Sequence, residues 1–150
     1  MDKSQNNTND RILLIKSLGL PFAITDQGRF IDKAKLIQGT WVMGYDTLIR
    51  FFNRKYYTEF ETDMDAFFVS NRIKCFDRGN IKIPVWERTE LQHVLRYKQY
   101  VDLEGCLDEK VCISSTEVRE MIKDKDERWK RYVPGEIEEL IIKNRMYGYQ

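Results

Sequence analysis

Short apolar bursts separated by glycine, proline or charged residues run along most of this chain, and their spacing alternates between the helical and the extended period. The first residues are polar. Asp10 stands where it caps a helix through Leu18, which Gly19 closes and Pro21 cannot continue. Phe22 to Thr25 reads as a short strand, Phe30 to Ile37 as a helical turn closed by Gly39, and Thr40 to Met43 as a buried strand ending in a glycine turn. A helix over Asp46 to Phe52 follows, then a second over Asp65 to Ser70 that feeds a strand at Arg72 to Phe76. Pro84 to Arg88 reads as loop, Leu91 to Leu95 as helix and Tyr97 to Leu103 as an alternating strand. Val111 to Ile113 leads into a helix whose stripe is Val118, Met121 and Ile122. The last helix is the best specified: Pro134 fits its first turn, Glu136, Glu138 and Glu139 suit its positive end, Lys143 and Arg145 its negative end, and Gly148 can terminate it. Ile137, Leu140 and Ile141 form its buried stripe. Strand, turn and helix in this order predict an α/β fold with a parallel sheet.

Composition narrows the classes. At 150 residues, 42% apolar and 13% aromatic, the chain can bury one core and is expected to form at most one domain. A formal charge of +1 gives no general attraction to nucleic acid or acidic membrane, so an anion site must be local. Cys75, Cys106 and Cys112 form no Cys-x-x-Cys pair, and with His93 as the single histidine a zinc cage is not expected; the three are read as reduced thiols. No apolar run approaches the ~20 residues of a membrane span, and the polar start lacks the features of a secretion signal, which points to cytoplasm or nucleus.

One cluster carries chemistry. Ile113-Ser114-Ser115-Thr116-Glu117-Val118 places three hydroxyls at a helix start, and Arg119 follows a turn later. Hydroxyls, first-turn amides and the helix dipole attract an anion, and an arginine leaning back toward the N-terminus reaches the same place. Ser114 with Glu117 also spells a capping box, which needs no ligand. Gly44 and Asp46 follow a strand, where open parallel sheets bind ligands, although a turn glycine and a helix N-cap account for the same letters. Trp41 and Trp86 are read as packing, Lys33 and Lys35 as a solvated face, Tyr56 and Tyr57 as a core edge with wet hydroxyls, and His93 as a polar surface or helix position.

From Trp41 onward the chain resembles the C-terminal half of the nicotinamide mononucleotide adenylyltransferases, of the cytidylyltransferase-like nucleotidyltransferase superfamily. The match is carried by Gly44-Tyr45-Asp46 with its helix to Tyr57, by Arg78-Gly79, by Ile113 to Arg119, and by Arg131-Tyr132-Val133-Pro134 through Met146-Tyr147. The resemblance implies a Rossmann-like fold, incomplete at its N-terminus because the first strand and phosphate loop are missing, with a disordered polar start over 1–9 and part of a single domain over 10–150. It implies ATP as substrate with Mg²⁺, the phosphates held by Ser114, Ser115, Thr116 and Arg119, the ribose by Gly44 and Asp46, and the acceptor mononucleotide by Tyr57 and Arg78. Tyr57 stands where the family usually has tryptophan. The family's Gly-x-Phe-x-Pro-x-His-x-Gly-His segment is absent, so no catalytic residue is assigned. Two functions are therefore expected: adenylyl transfer to nicotinamide mononucleotide, with this chain a partial form inactive alone, or a non-catalytic nucleotide- or partner-binding module. A related transferase with another acceptor would use the same grip. A homo-oligomer or a complementing chain is the expected protein partner; neither nucleic acid nor membrane is.

Overall fold

The computed structural model describes residues 6–77, 85–105 and 112–150. Contacts divide the chain into two compact units, Thr25–Cys112 and a second made of Met1–Ile24 with Ile113–Gln150.

The Thr25–Cys112 unit is mixed α/β. Helix α2 (Phe30–Ala34) precedes strand β1 (Gly39–Gly44), followed by α3 (Tyr45–Phe51), α4 (Phe60–Ser70), β2 (Asn71–Asp77), a 3₁₀ helix over Thr89–Tyr100 and β3 (Val101–Gly105). The strands form a parallel sheet in the order β1-β2-β3, with Trp41 opposite Ile73 and Ile73 opposite Val101. Side chains alternate across it. Met43, Ile73, Cys75 and Val101 are buried under Leu48, Phe51, Phe52, Met64, Phe67, Leu91 and Val94, whereas Thr40, Val42, Arg72 and Asp102 are exposed. Parallel sheets are usually covered on both faces. Here the outer face carries charge instead: Lys74 pairs with Glu104 at 2.7 Å, and the Arg72 guanidinium lies over the Tyr100 ring.

Asn71 ties this layer together. Its Oδ1 accepts from the Gly39 amide and from Trp41 Nε1, each at 3.0 Å, and its Nδ2 donates to the Phe67 carbonyl at 2.9 Å. Trp41 is thus the packing residue expected, edge-on to Phe30 with centroids 5.7 Å apart.

The strand expected over Tyr97 to Leu103 begins only at Val101. Leu91, Val94 and Tyr97 are buried at every third position, the period of a 3₁₀ helix, so core burial carries this form on to Tyr100 against its poorer hydrogen bonds. Phe22 to Thr25 is not a strand, since no described segment pairs with it and a strand exists only through its ladder. Part of the Pro84 to Arg88 loop is a 3₁₀ turn, Val85–Glu87. Cys112 is disulfide-bonded, which corrects the expectation of three reduced thiols; its partner lies outside the described residues, and Cys75 is a buried free thiol.

The second unit is helical. Helix α1 (Asn6–Ser17) starts ahead of Asp10, which is an interior residue rather than its cap. Helix α5 (Ser115–Lys123) ends in a Schellman turn: Lys125 takes φ 59°, its amide donates to the Ile122 carbonyl, and the Asp126 amide donates to the Met121 carbonyl. Helix α6 (Gly135–Lys143) has Pro134 as N-cap and ends at Asn144, so Arg145 at φ 50° turns the chain before Gly148 is reached. Trp129 is fully buried with Ile122, Ile137, Ile141 and Met146, its ring edge-on to Tyr149. Leu14 of α1 packs on the same cluster. No described helix is long and apolar enough to cross a membrane.

Candidate functional site

The hydroxyl cluster sits where the sequence puts it, at the start of α5. Ser114 is the N-cap, with extended backbone (φ −89°, ψ 152°). Its Oγ accepts from the Glu117 amide at 3.1 Å, and the Glu117 carboxylate accepts from the Ser114 amide at 2.7 Å, so the capping box is complete. This commits the Ser114 hydroxyl, the Glu117 carboxylate and the amides of both residues to the cap. Ser115 and Thr116 are the first two helical residues, and amides in those positions have no carbonyl within the helix to accept them. Both residues are exposed.

Arg119 leans back over this turn and donates from Nη2 to Thr116 Oγ1 at 3.2 Å. The guanidinium is therefore drawn to the helix start by the tilt common to helical side chains. Its charge is also felt by Tyr147: burial, and secondarily the Asp10 carboxylate, push that hydroxyl's pKa up, while Arg119 and Arg11 oppose the rise. The arrangement offers an anion one fork of charged donors, two hydroxyls and the positive end of a nine-residue helix.

In the sheet unit, β1 runs into α3 without an intervening loop. Gly44 is the N-cap of α3 with negative φ (−80°), a conformation open to any residue, and it supplies no side-chain cap. Asp46 is not the N-cap; it is an exposed acid in the first helical turn, at the carboxyl end of β1, and its carbonyl accepts from Arg50 Nε at 3.2 Å. A carboxylate there suits both the helix dipole and a hydroxylated ligand.

Tyr57 is half-buried. Its hydroxyl donates to the Phe51 carbonyl at 2.5 Å and its ring stands edge-on to Phe60, so the expectation of a wet hydroxyl is corrected for this residue. Burial raises its pKa to about 12, against a smaller opposing pull from Arg29. Tyr56 is exposed, as expected of a core edge. Arg78 and Cys106 lie outside the described residues. Lys33 rests over the Phe30 ring, while Lys35 is on a solvated face as expected, exposed and 3.4 Å from Asp32. Trp86 packs against the core.

His93 is exposed on the 3₁₀ helix, with Nε2 3.0 Å from the Phe52 carbonyl and its ring beside Phe60. It lines an open cleft of about 480 Å³ together with Ile49, Phe52, Asn53, Arg54 and Glu90. Reading the sequence placed His93 on a polar helix position but missed this cleft, because its two walls are far apart along the chain. Glu90 and His93 at i and i+3 were the available signal, since such residues eclipse on a 3₁₀ helix. No group of three His, Cys, Asp or Glu side chains that could hold a metal ion is found among the described residues. Comparison of the chain with protein-family models, with curated proteins and with solved structures finds no match.

Proposed function

We propose that this chain binds an adenine nucleotide by its phosphates at the start of α5, as a nucleotidyltransferase-type module with a Rossmann-like sheet. The observation that carries the reading is Arg119, whose Nη2 meets Thr116 Oγ1 at 3.2 Å beside the first-turn amides of Ser115 and Thr116. The reaction proposed for this type of module is adenylyl transfer to nicotinamide mononucleotide. A phosphate oxygen of the mononucleotide attacks the α-phosphorus of ATP, the bond to the bridging oxygen breaks, and pyrophosphate leaves with the electron pair. Such chemistry asks little of the protein beyond positioning and neutralisation of charge. Ser115, Thr116 and Arg119 are assigned to the triphosphate, with Mg²⁺ arriving on the nucleotide.

Binding without turnover is favoured by one observation. The chain's single histidine directs Nε2 at a backbone carbonyl, so it supplies no histidine pair for the departing pyrophosphate. Calorimetric titration of the 150-residue chain with ATP and Mg²⁺ tests the reading. Arg119→Ala removes a charge-assisted contact of about 1.5 to 3 kcal/mol, lowering affinity tenfold or more, and Arg119→Lys restores only part because an ammonium lacks the planar fork. Equal affinity of wild type and Arg119→Ala, or no binding by wild type, refutes it.

A further inference from the structure

The two outer strands of the sheet are unequally protected. An edge strand presents unpaired N–H and C=O groups to any other strand, and charges or proline on the edge are the usual defence. β3 is short and carries exposed Asp102 and Glu104. β1, Gly39-Thr40-Trp41-Val42-Met43-Gly44, has no charge and no proline, and its side away from β2 makes no hydrogen bond among the described residues. Val42 is 65% exposed on it, and Leu36 and Ile37, just ahead of the strand, are 65% and 56% exposed.

We infer that β1 pairs, antiparallel and edge to edge, with β1 of a second copy of this chain. The register follows from the backbone. The Gly39 amide turns toward Asn71 on β2, so by the two-residue alternation Thr40, Val42 and Gly44 direct their backbone groups outward. A two-fold axis beside Val42 then sets Val42 opposite its own copy and Thr40 opposite Gly44 of the second copy, engaging every outward residue on both strands. No like charges meet, and the two valines pack side by side on the open face.

Three features select a second copy over an unrelated strand. The outward set is self-complementary about its central valine, as a two-fold interface requires. The axis runs perpendicular to the sheet, so the α3 and α4 layers of both copies lie on the same face of the joined sheet. Among the described residues, the edges left after pairing are the two β3 strands, whose exposed Asp102 and Glu104 oppose further strand addition. One strand edge is small beside the roughly 800 Å² per partner of a stable interface, so Leu36 and Ile37 supply the remaining contact and the dimer is reversible.

Sedimentation equilibrium of the full chain tests this. Wild type forms a closed dimer with a dissociation constant on the order of 10 μM. Val42→Lys sets two ammonium groups together at the axis and weakens the dimer at least tenfold, while the circular dichroism spectrum and urea midpoint stay those of wild type. Leu95→Lys, at a 41% exposed position on the 3₁₀ helix, leaves the dimer unchanged and controls for a general loss of apolar surface. A wild-type chain that stays monomeric up to about 100 μM, a dimer indifferent to Val42→Lys, or one equally weakened by Leu95→Lys overturns the inference.

Discussion

Asn71 is 5% exposed, and its side chain bonds both β1 and α4. Asn71→Ala removes two accepted bonds and one donated bond, leaving the Gly39 amide, the Trp41 indole N–H and the Phe67 carbonyl without that partner. Each bond contributes a net 0.5–1.5 kcal/mol, and the Gly39 and Trp41 groups are near enough to the surface to regain some water, so the expected loss is about 2 to 4 kcal/mol. For a unit of this size, with a urea m-value of about 1.5 kcal/mol per molar, the midpoint falls by roughly 2 M. Far-UV circular dichroism follows the transition without relying on tryptophan emission. Trp41→Phe removes the orphaned indole donor, so in the Asn71→Ala background it costs less than in wild type, with a coupling of about 1 kcal/mol. A loss for Asn71→Ala below about 0.5 kcal/mol, or strict additivity of the two substitutions, would refute the bridging role.

Ser114→Ala breaks the capping box and lowers the stability of the helical unit by about 1 kcal/mol, whereas Ser114→Asp keeps most of it; thermal melts that do not distinguish the two variants would sink the cap. Trp129→Ala empties a fully buried site and costs about 3 to 5 kcal/mol in chemical denaturation, and a loss under about 1 kcal/mol would mean the cluster collapses around it. The folded Tyr57 hydroxyl titrates at about 12, above an unfolded value near 10, so its contribution is complete below pH 10 and fades as pH rises to 12. Tyr57→Phe removes that part of the slope, and identical stability slopes for variant and wild type from pH 10 to 12 would show a solvated phenol. Incubated with ATP, Mg²⁺ and nicotinamide mononucleotide, the 150-residue chain forms no NAD above background, a loss on the order of 10²-fold or more from lacking charge stabilisation on pyrophosphate. Robust NAD formation abolished by Arg119→Ala would place the catalytic groups elsewhere in the chain.

What the sequence determined by itself is what lies within a turn or two of backbone. The Ser114–Glu117 box, the acidic start of α6 and the extended run from Thr40 to Met43 are legible because their partners are near neighbours whose geometry the backbone fixes, but the burial expected of that strand is corrected, since Thr40 and Val42 are exposed on the charged face of the sheet. Even so, local pattern failed where two periods overlap. Tyr97, Val101 and Leu103 satisfy an alternating reading, and only the shared burial of Leu91, Val94 and Tyr97 against the sheet decides for a 3₁₀ helix as far as Tyr100. Spacing from a hydroxyl-rich helix start singled out Arg119, and the place after a strand singled out Asp46, but the hydrogen bond from Arg119 to Thr116 needed coordinates. Tertiary structure alone decided that Asn71 bonds residues of two other elements, that His93 meets the Phe52 carbonyl, and that β1 rather than β3 is the unguarded edge. These depend on which faces and edges come together, and that is settled by the joint burial of many distant apolar side chains, not by the spacing within any one segment.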